Sequence, residues 1–238
     1  MPDTMTTTEN SASPWHSHAH RHPSAFLLAA QVLSLVLYAV FEGSPSGRAV
    51  LGTFGIMVLS LVVWVIKSSP RLRWITWILV VPTFLLSSAS VLIDDPNLLF
   101  WAAVLEAALY FYAAGCLIAY MLEDVWVTSD ELFAAGATFT LIAWGFAYAY
   151  LACQTWLPGS FSGATFSGKP EHFLELLYLS INNLSSAGLG DIVPVKAPAR
   201  VLVMLEQVAG VGYITVVVSR LIGMTILRRR RSKRDRLS

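Results

Sequence analysis

The chain has 238 residues, 55% of them hydrophobic and only 13% charged, with a formal net charge of +1. A soluble domain carries about 25% charged residues, so this deficit, with a mean hydropathy of +0.62, excludes an ordinary water-soluble fold. The small net charge hides a basic run, RRRRSKRDR from Arg228 to Arg236, which reads as a cytoplasmic anchor on anionic lipids and not as a nucleic-acid site.

Residues 1–24 are polar and read as a disordered cytoplasmic tail. His16, His18, His20 and His22 alternate there, but no acid or cysteine completes a metal site. The polar lead is too long for a signal peptide, and no A-x-A exit follows. Cys116 and Cys153 both lie in apolar runs and read as small buried side chains.

Six apolar segments follow: Phe26–Phe41, Ala49–Ile66, Trp74–Ile93, Leu98–Leu122, Leu132–Trp156 and Ala199–Leu227. Most approach the roughly 20 residues that about 30 Å of hydrocarbon requires. Lys67, Arg71 and Arg73 follow the second segment and the arginine cluster follows the sixth, so both sides belong in the cytoplasm. The connectors at 42–47, 94–97 and 157–169 are then external, and both termini are cytoplasmic. Trp64, Trp74, Trp101 and Trp156 fall near predicted span ends, as interfacial aromatics do. Pro82 is expected to kink the third span.

The first three segments contain no Lys, Arg, Asp or Glu, and the fourth contains only Glu106. A voltage sensor needs a row of arginines, each worth about 2.3 kcal/mol per 100 mV, so conventional voltage sensing is excluded. Glu106 is either a buried hydrogen-bonded acid or a titratable sensor. The expected organisation is a peripheral four-helix domain over 25–122, a linker over 123–131, a module over 132–227 and a basic cytoplasmic tail over 228–238. That tail leaves no room for a nucleotide- or calcium-binding domain.

Between the last two spans lies a segment too short to cross. Pro170-Glu171-His172 opens a predicted helix of about 14 residues, with proline near its first position. Its apolar positions Phe173, Leu176, Leu177, Leu179, Ile181 and Leu184 predict a re-entrant helix, a form tolerated only when buried in protein or lining water. Its C-terminal end directs the negative pole of the helix dipole inward, toward a cation. Leu184-Ser185-Ser186-Ala187-Gly188-Leu189-Gly190-Asp191 follows, and glycines at 188 and 190 allow the positive φ that turns successive carbonyls toward one axis. Carbonyl rings of that kind replace the hydration shell of a cation.

The order of outer helix, short helix, S-S-A-G-L-G-D and inner helix resembles the pore module of tetrameric potassium channels, in particular small bacterial members related to the two-pore-domain group. The resemblance spans Val127 to about Met224. The family's filter reads T-V-G-Y-G-D or T-I-G-Y-G-D. Here Ser186, Ala187 and Leu189 take the Thr, Val/Ile and Tyr positions, while Gly188, Gly190 and Asp191 are unchanged. Pro194, Arg200 and Gly210 match downstream, Gly210 where the family often has its hinge glycine.

The resemblance implies an all-α membrane protein of the plasma membrane, with six transmembrane helices, a re-entrant pore helix and a filter strand, assembled as a homotetramer. It implies K+ as permeant ion, held by the carbonyls of Ser186, Ala187, Gly188 and Leu189, and no cofactor or enzymatic activity. The Ser186 hydroxyl would serve the innermost site. Asn182 stands where some members carry a glutamate paired with the filter aspartate, so its amide is expected to reach Asp191. Ala187 removes a branched side chain that packs the filter, and Asn183 replaces the usual threonine.

Val211, Ile214, Val218 and Ile222 share one face of the inner helix at spacings of three or four. That face is either an apolar pore gate closing by dewetting or a lipid- or helix-facing stripe. Gly210 and Gly212 are either a hinge or small residues for close packing. Glu206 is a mid-span acid expected to hydrogen-bond behind the filter, and Arg220 is placed to snorkel to the inner interface. Rival readings are a weakly selective cation channel, a secondary transporter with a broken helix, an intramembrane serine protease using Ser186 and His172, and a non-conducting assembly subunit.

Overall fold

A computed structural model of the chain describes residues 23–41, 73–93, 95–123, 129–163, 170–188 and 190–235. Among these the order is α1 (Pro23–Phe41), α2 (Arg73–Ile93), α3 (Pro96–Glu123), α4 (Ser129–Trp156), β1 (Phe161–Ser162), α5 (Phe173–Leu184), β2 (Val193–Pro194) and α6 (Ala197–Asp235). The segment 49–66, predicted as the second span, lies outside the described residues, as do most of the N-terminal tail and Leu189.

The protein is a mostly helical membrane protein. Pro96–Leu122, Asp130–Trp156 and Ala197–Val217 are long and apolar enough to cross a bilayer, and α1 and α2 hold shorter apolar stretches at Ser24–Tyr38 and Ile78–Ser90. Helix α2 continues through Pro82. Trp101, near the start of α3, and Trp156, the last residue of α4, are both exposed, as interfacial aromatics are.

Helix α4 is the centre of the subunit: 61% of its apolar window is buried, against 17% for α6. The reason is its run of small residues. Ala134, Ala137, Ala143 and Ala147 are fully buried, and small side chains let helix backbones approach where lipid supplies no hydrophobic drive. Helix α1 crosses one side, with Gly136 of α4 facing Leu28 and the Gln31 side chain accepting from Thr140 Oγ1 at 2.6 Å. The N-terminus of α1 is tied by Ser24, whose Oγ donates to Asp130 at 2.9 Å. Helix α3 packs on another side, where Phe111 lies against Gly145.

Glu106 of α3 accepts from the Ser87 hydroxyl of α2 and also meets the Tyr148 hydroxyl of α4. Its surroundings are aromatic: Tyr110 stacks on Tyr148 at 5.5 Å, and Phe173, the first residue of α5, rests on Tyr148 at 4.5 Å. Glu106 is thus a hydrogen-bonded acid inside the peripheral helices.

Two boundaries differ from expectation. Helix α5 begins at Phe173, three residues later than predicted, so Pro170 precedes the helix and His172 takes the N-cap position. Glu175 explains the shift, because its carboxylate accepts from the His172 backbone N–H at 2.7 Å and satisfies one orphan donor of the first turn. Helix α6 runs unbroken for 39 residues to Asp235, about 58 Å at 1.5 Å per residue. That is nearly twice the hydrocarbon thickness, so most of the basic run is a helical projection beyond the bilayer core.

Candidate functional site

The short helix α5 is the most amphipathic element of the described chain, with Leu176, Leu177, Leu179, Ser180, Asn182 and Leu184 buried. It ends in a six-residue wrap. The N–H of Ala187 donates to the carbonyl of Asn182 at 3.0 Å, and that of Ser186 donates to Asn183 at 3.0 Å. This pair of bonds is a Schellman motif, which places Ser186 at the position where glycine is usual because the backbone turns left-handed. Ser186 has φ 58° and Ser185 before it is right-handed at φ −79°. Gly188 is left-handed again at φ 68°.

Alternation of right- and left-handed residues turns successive peptide groups the same way, with N–H groups on one side and carbonyls on the other. The positive φ falls on Ser186 and Gly188. The φ of Gly190 depends on Leu189, which lies outside the described residues. Residues 185–188, 190 and 191 are exposed in the subunit.

Both ends of this segment are anchored. Below it, α5 descends against α6. Above it, β2 pairs antiparallel with β1, Phe161 opposite Pro194 and Ser162 opposite Val193. Val195 N–H donates to the Ser160 carbonyl at 2.8 Å, and Lys196 Nζ donates to the Pro158 carbonyl at 2.7 Å. Arg200, matched in the resemblance, turns back to the Pro194 carbonyl at 3.3 Å.

The depth of the segment follows from α6. Gly210 faces the Leu184 carbonyl and lies thirteen residues below Ala197, about 20 Å along the helix. The 185–188 backbone therefore lies beside the middle of the apolar stretch Ala197–Val217 and not at its end. Gly210 has a clear structural reason to be glycine: a Cβ there would come within 2.2 Å of Leu184 O. Of the two alternatives left open, close packing accounts for it, and α6 is continuous through this point.

One expectation is corrected. The Asn182 amide does not reach Asp191; its Nδ2 donates to the Tyr178 carbonyl at 2.8 Å, one turn back on its own helix. Its side chain, 9% exposed, is turned into the subunit, whereas Asp191 is exposed at the outer end.

Glu206, expected to hydrogen-bond within the membrane, is 0% exposed and lies between α4 and α5. Its Oε2 accepts from the Tyr150 hydroxyl of α4, and its Oε1 contacts the Ser180 hydroxyl of α5. Ser180 Oγ also lies 2.8 Å from the Ala143 carbonyl of α4. Helices α4, α5 and α6 thus meet at one carboxyl group, and the Asn183 side chain also meets Glu206 and Tyr150. Sequence reasoning missed Tyr150 and Ser180. The available signal was Glu206 itself, since a buried acid requires donors.

On α6, Val211, Ile214 and Ile222 are exposed in the subunit, and the Val218 side chain lies outside the described residues. Glu171, between β1 and α5, accepts from the Gly163 N–H at 2.6 Å. Partial burial and the neighbouring Glu175 carboxylate push its own carboxyl above the usual range. Among the described residues no group of three or more His, Cys, Asp or Glu is placed to hold a metal ion, and Cys116 and Cys153 are free thiols.

No curated protein matches the chain, and no solved structure does. Residues 136–226, which hold most of α4 together with β1, α5, the 185–191 segment, β2 and most of α6, match the family model described as an ion channel, and over that module the protein is ion-channel-like.

Proposed function

We propose that the chain is a passive, potassium-selective channel of the cell membrane, conducting on the axis of a homotetramer and lacking a voltage sensor. The observation that carries this reading is the 185–188 backbone: φ is positive at Ser186 and Gly188, and the segment is exposed in the subunit, about 20 Å down the inner helix. Irregular polar backbone at that depth is tolerated only inside protein or against water. A ring of four such segments around a hydrated axis meets both conditions. One chain supplies one strand, with carbonyls of Ser186, Ala187, Gly188 and Leu189 as ligands and the Ser186 hydroxyl at the inner end. Below it, the apolar stripe of Val211, Ile214, Val218 and Ile222 lines the inner cavity and gates by dewetting. Both termini are cytoplasmic, with the basic end of α6 lying near anionic lipid headgroups.

A weakly selective cation channel is favoured by one observation. With Asn182 bonded to Tyr178, the outer end of the filter has no tie from α5 to Asp191. Flux from proteoliposomes under opposed K+ and Na+ gradients, with barium as blocker, tests both readings. Barium-sensitive K+ flux that exceeds Na+ flux supports the first, equal fluxes support the second, and no barium-sensitive flux overturns both.

A further inference from the structure

Three oxygen–oxygen contacts at Glu206 share the protons of two hydroxyls, and the Asn183 amide beside them takes part in none of the three. A serine or tyrosine hydroxyl carries one proton and accepts at its lone pairs, and an ionised carboxylate only accepts. Tyr150 uses its proton on Glu206 Oε2. Ser180 Oγ then faces two acceptors at once, the Ala143 carbonyl and Glu206 Oε1, with one proton to offer. An ionised Glu206 leaves one of these contacts as oxygen against oxygen with nothing between them. A protonated Glu206 resolves it: Oε1–H donates to Ser180 Oγ, Ser180 donates to the Ala143 carbonyl, and Tyr150 donates to Oε2. Each contact then holds one proton. Among the described residues no ion pair reaches Glu206, and an acid without a cation at this depth is far less costly when neutral.

The same carboxyl group stands at one end of a two-point seat. Helices α5 and α6 both descend from the outer side and touch in register, Ser180 at Glu206 and Leu184 at Gly210. Each pair is four residues apart on its own helix, one turn. Leu184 is the last residue of α5, directly below the turn that carries Ser186 and Gly188. A slide or rotation of α5 on this seat moves those carbonyls with it.

We propose that Glu206 is the positioning residue of the filter, acting as a neutral carboxylic acid that links the inner helix to Ser180 and Tyr150. This role rests on the channel reading. Glutamine reproduces the pattern, since its amide donates to Ser180 and its carbonyl accepts from Tyr150. Leucine takes the acceptor from the buried Tyr150 hydroxyl and leaves Ser180 with the Ala143 carbonyl alone.

The test compares wild type, E206Q, E206L, S180A and Y150F in proteoliposomes, reading the K+/Na+ permeability ratio beside tetramer integrity in detergent. E206Q is expected to keep the wild-type ratio, and E206L to lower it about tenfold, the size of effect an orphaned buried polar group produces, with tetramers intact. A wild-type ratio in E206L overturns the positioning role. If E206L does not assemble, S180A and Y150F decide: a lowered ratio in both supports the role, and wild-type ratios overturn it. A fall in E206Q as deep as in E206L overturns the neutral acid. Infrared difference spectra of wild type against E206Q test the proton apart from conduction: a carboxylic-acid C=O band at neutral pH, lost in E206Q, is expected, and a carboxylate band in its place refutes it. Wild-type protein without monovalent flux overturns the channel reading, a failure distinct from any of these.

Discussion

Replacing Gly210 with alanine probes the tightest glycine contact among the described residues. The new Cβ would stand 2.2 Å from Leu184 O, 2.9 Å from its carbonyl carbon and 3.0 Å from its Cα. Ordinary C···O approach is about 3.3 Å, so α5 and α6 must part by about 1 Å. The obstacle is backbone, which no rotamer change moves, so the cost belongs at the upper end of the roughly 1–3 kcal/mol of overpacked sites. Alanine returns up to about 1 kcal/mol of helix propensity at either of two glycines on this helix. Gly212, two residues on, provides the control, because nothing lies within 4 Å of its Cβ position in the subunit. Gly212→Ala keeps the propensity gain and Gly210→Ala loses it to the clash, a difference of about 3 kcal/mol. At about 2–4 °C per kcal/mol for a chain of this size, the two variants are expected to melt about 6–12 °C apart. Intrinsic fluorescence from eight tryptophans reads the transition in detergent. If Gly210→Ala melts at or above Gly212→Ala, the in-register seat of α5 on α6 is wrong. The same result would return Gly210 to the role of hinge.

Gly188→Ala forces a left-handed φ of 68° onto a residue with a Cβ, at about 1–2 kcal/mol, in open space. Assembly is expected to survive and K+ flux to vanish, so preserved current would sink the filter assignment. Ser186→Gly relieves a left-handed serine at φ 58°, a net gain of about 0.5–1 kcal/mol after the added chain entropy. A lower melting temperature would count against the Schellman geometry. Glu171→Gln addresses pH. The Glu171 carboxyl is raised by burial and by Glu175, so its contribution to stability is complete below its ordinary titration range and is lost as pH rises through its raised one. Glu171→Gln should therefore gain on wild type at neutral pH and match it in acid; a gap that widens on acidification would contradict this.

Much of the site was legible along the chain because its signals are local. Hydropathy marked the two long helices of the module, the short length of 170–183 marked α5 as unable to span, and S-S-A-G-L-G-D marked the turn that follows. Glu206 announced itself as an acid in an apolar helix. Other features were not legible. Asn182 was expected to reach Asp191 because it stands where some members of the resembled family carry a glutamate paired with the filter aspartate, yet the carbonyl one turn behind it is nearer and always in place. The start of α5 was read from Pro170, whereas Glu175 closes on the His172 N–H and sets the boundary there.

The amino-acid sequence by itself determined a helical membrane protein with a half-length helix and a polar, glycine-bearing turn before its last span. Those properties follow from composition and from residues within one or two turns of each other. Only the tertiary structure decided what holds that turn in place. Glu206 meets Ser180 and Tyr150 across 26 and 56 residues of chain, and Gly210 is glycine because the Leu184 carbonyl comes down on it. Such contacts depend on which faces of α4, α5 and α6 turn toward one another. In a helix that is apolar nearly all round, as α6 is, the residue pattern carries no record of that rotation; packing of small residues and burial of one carboxyl group choose it.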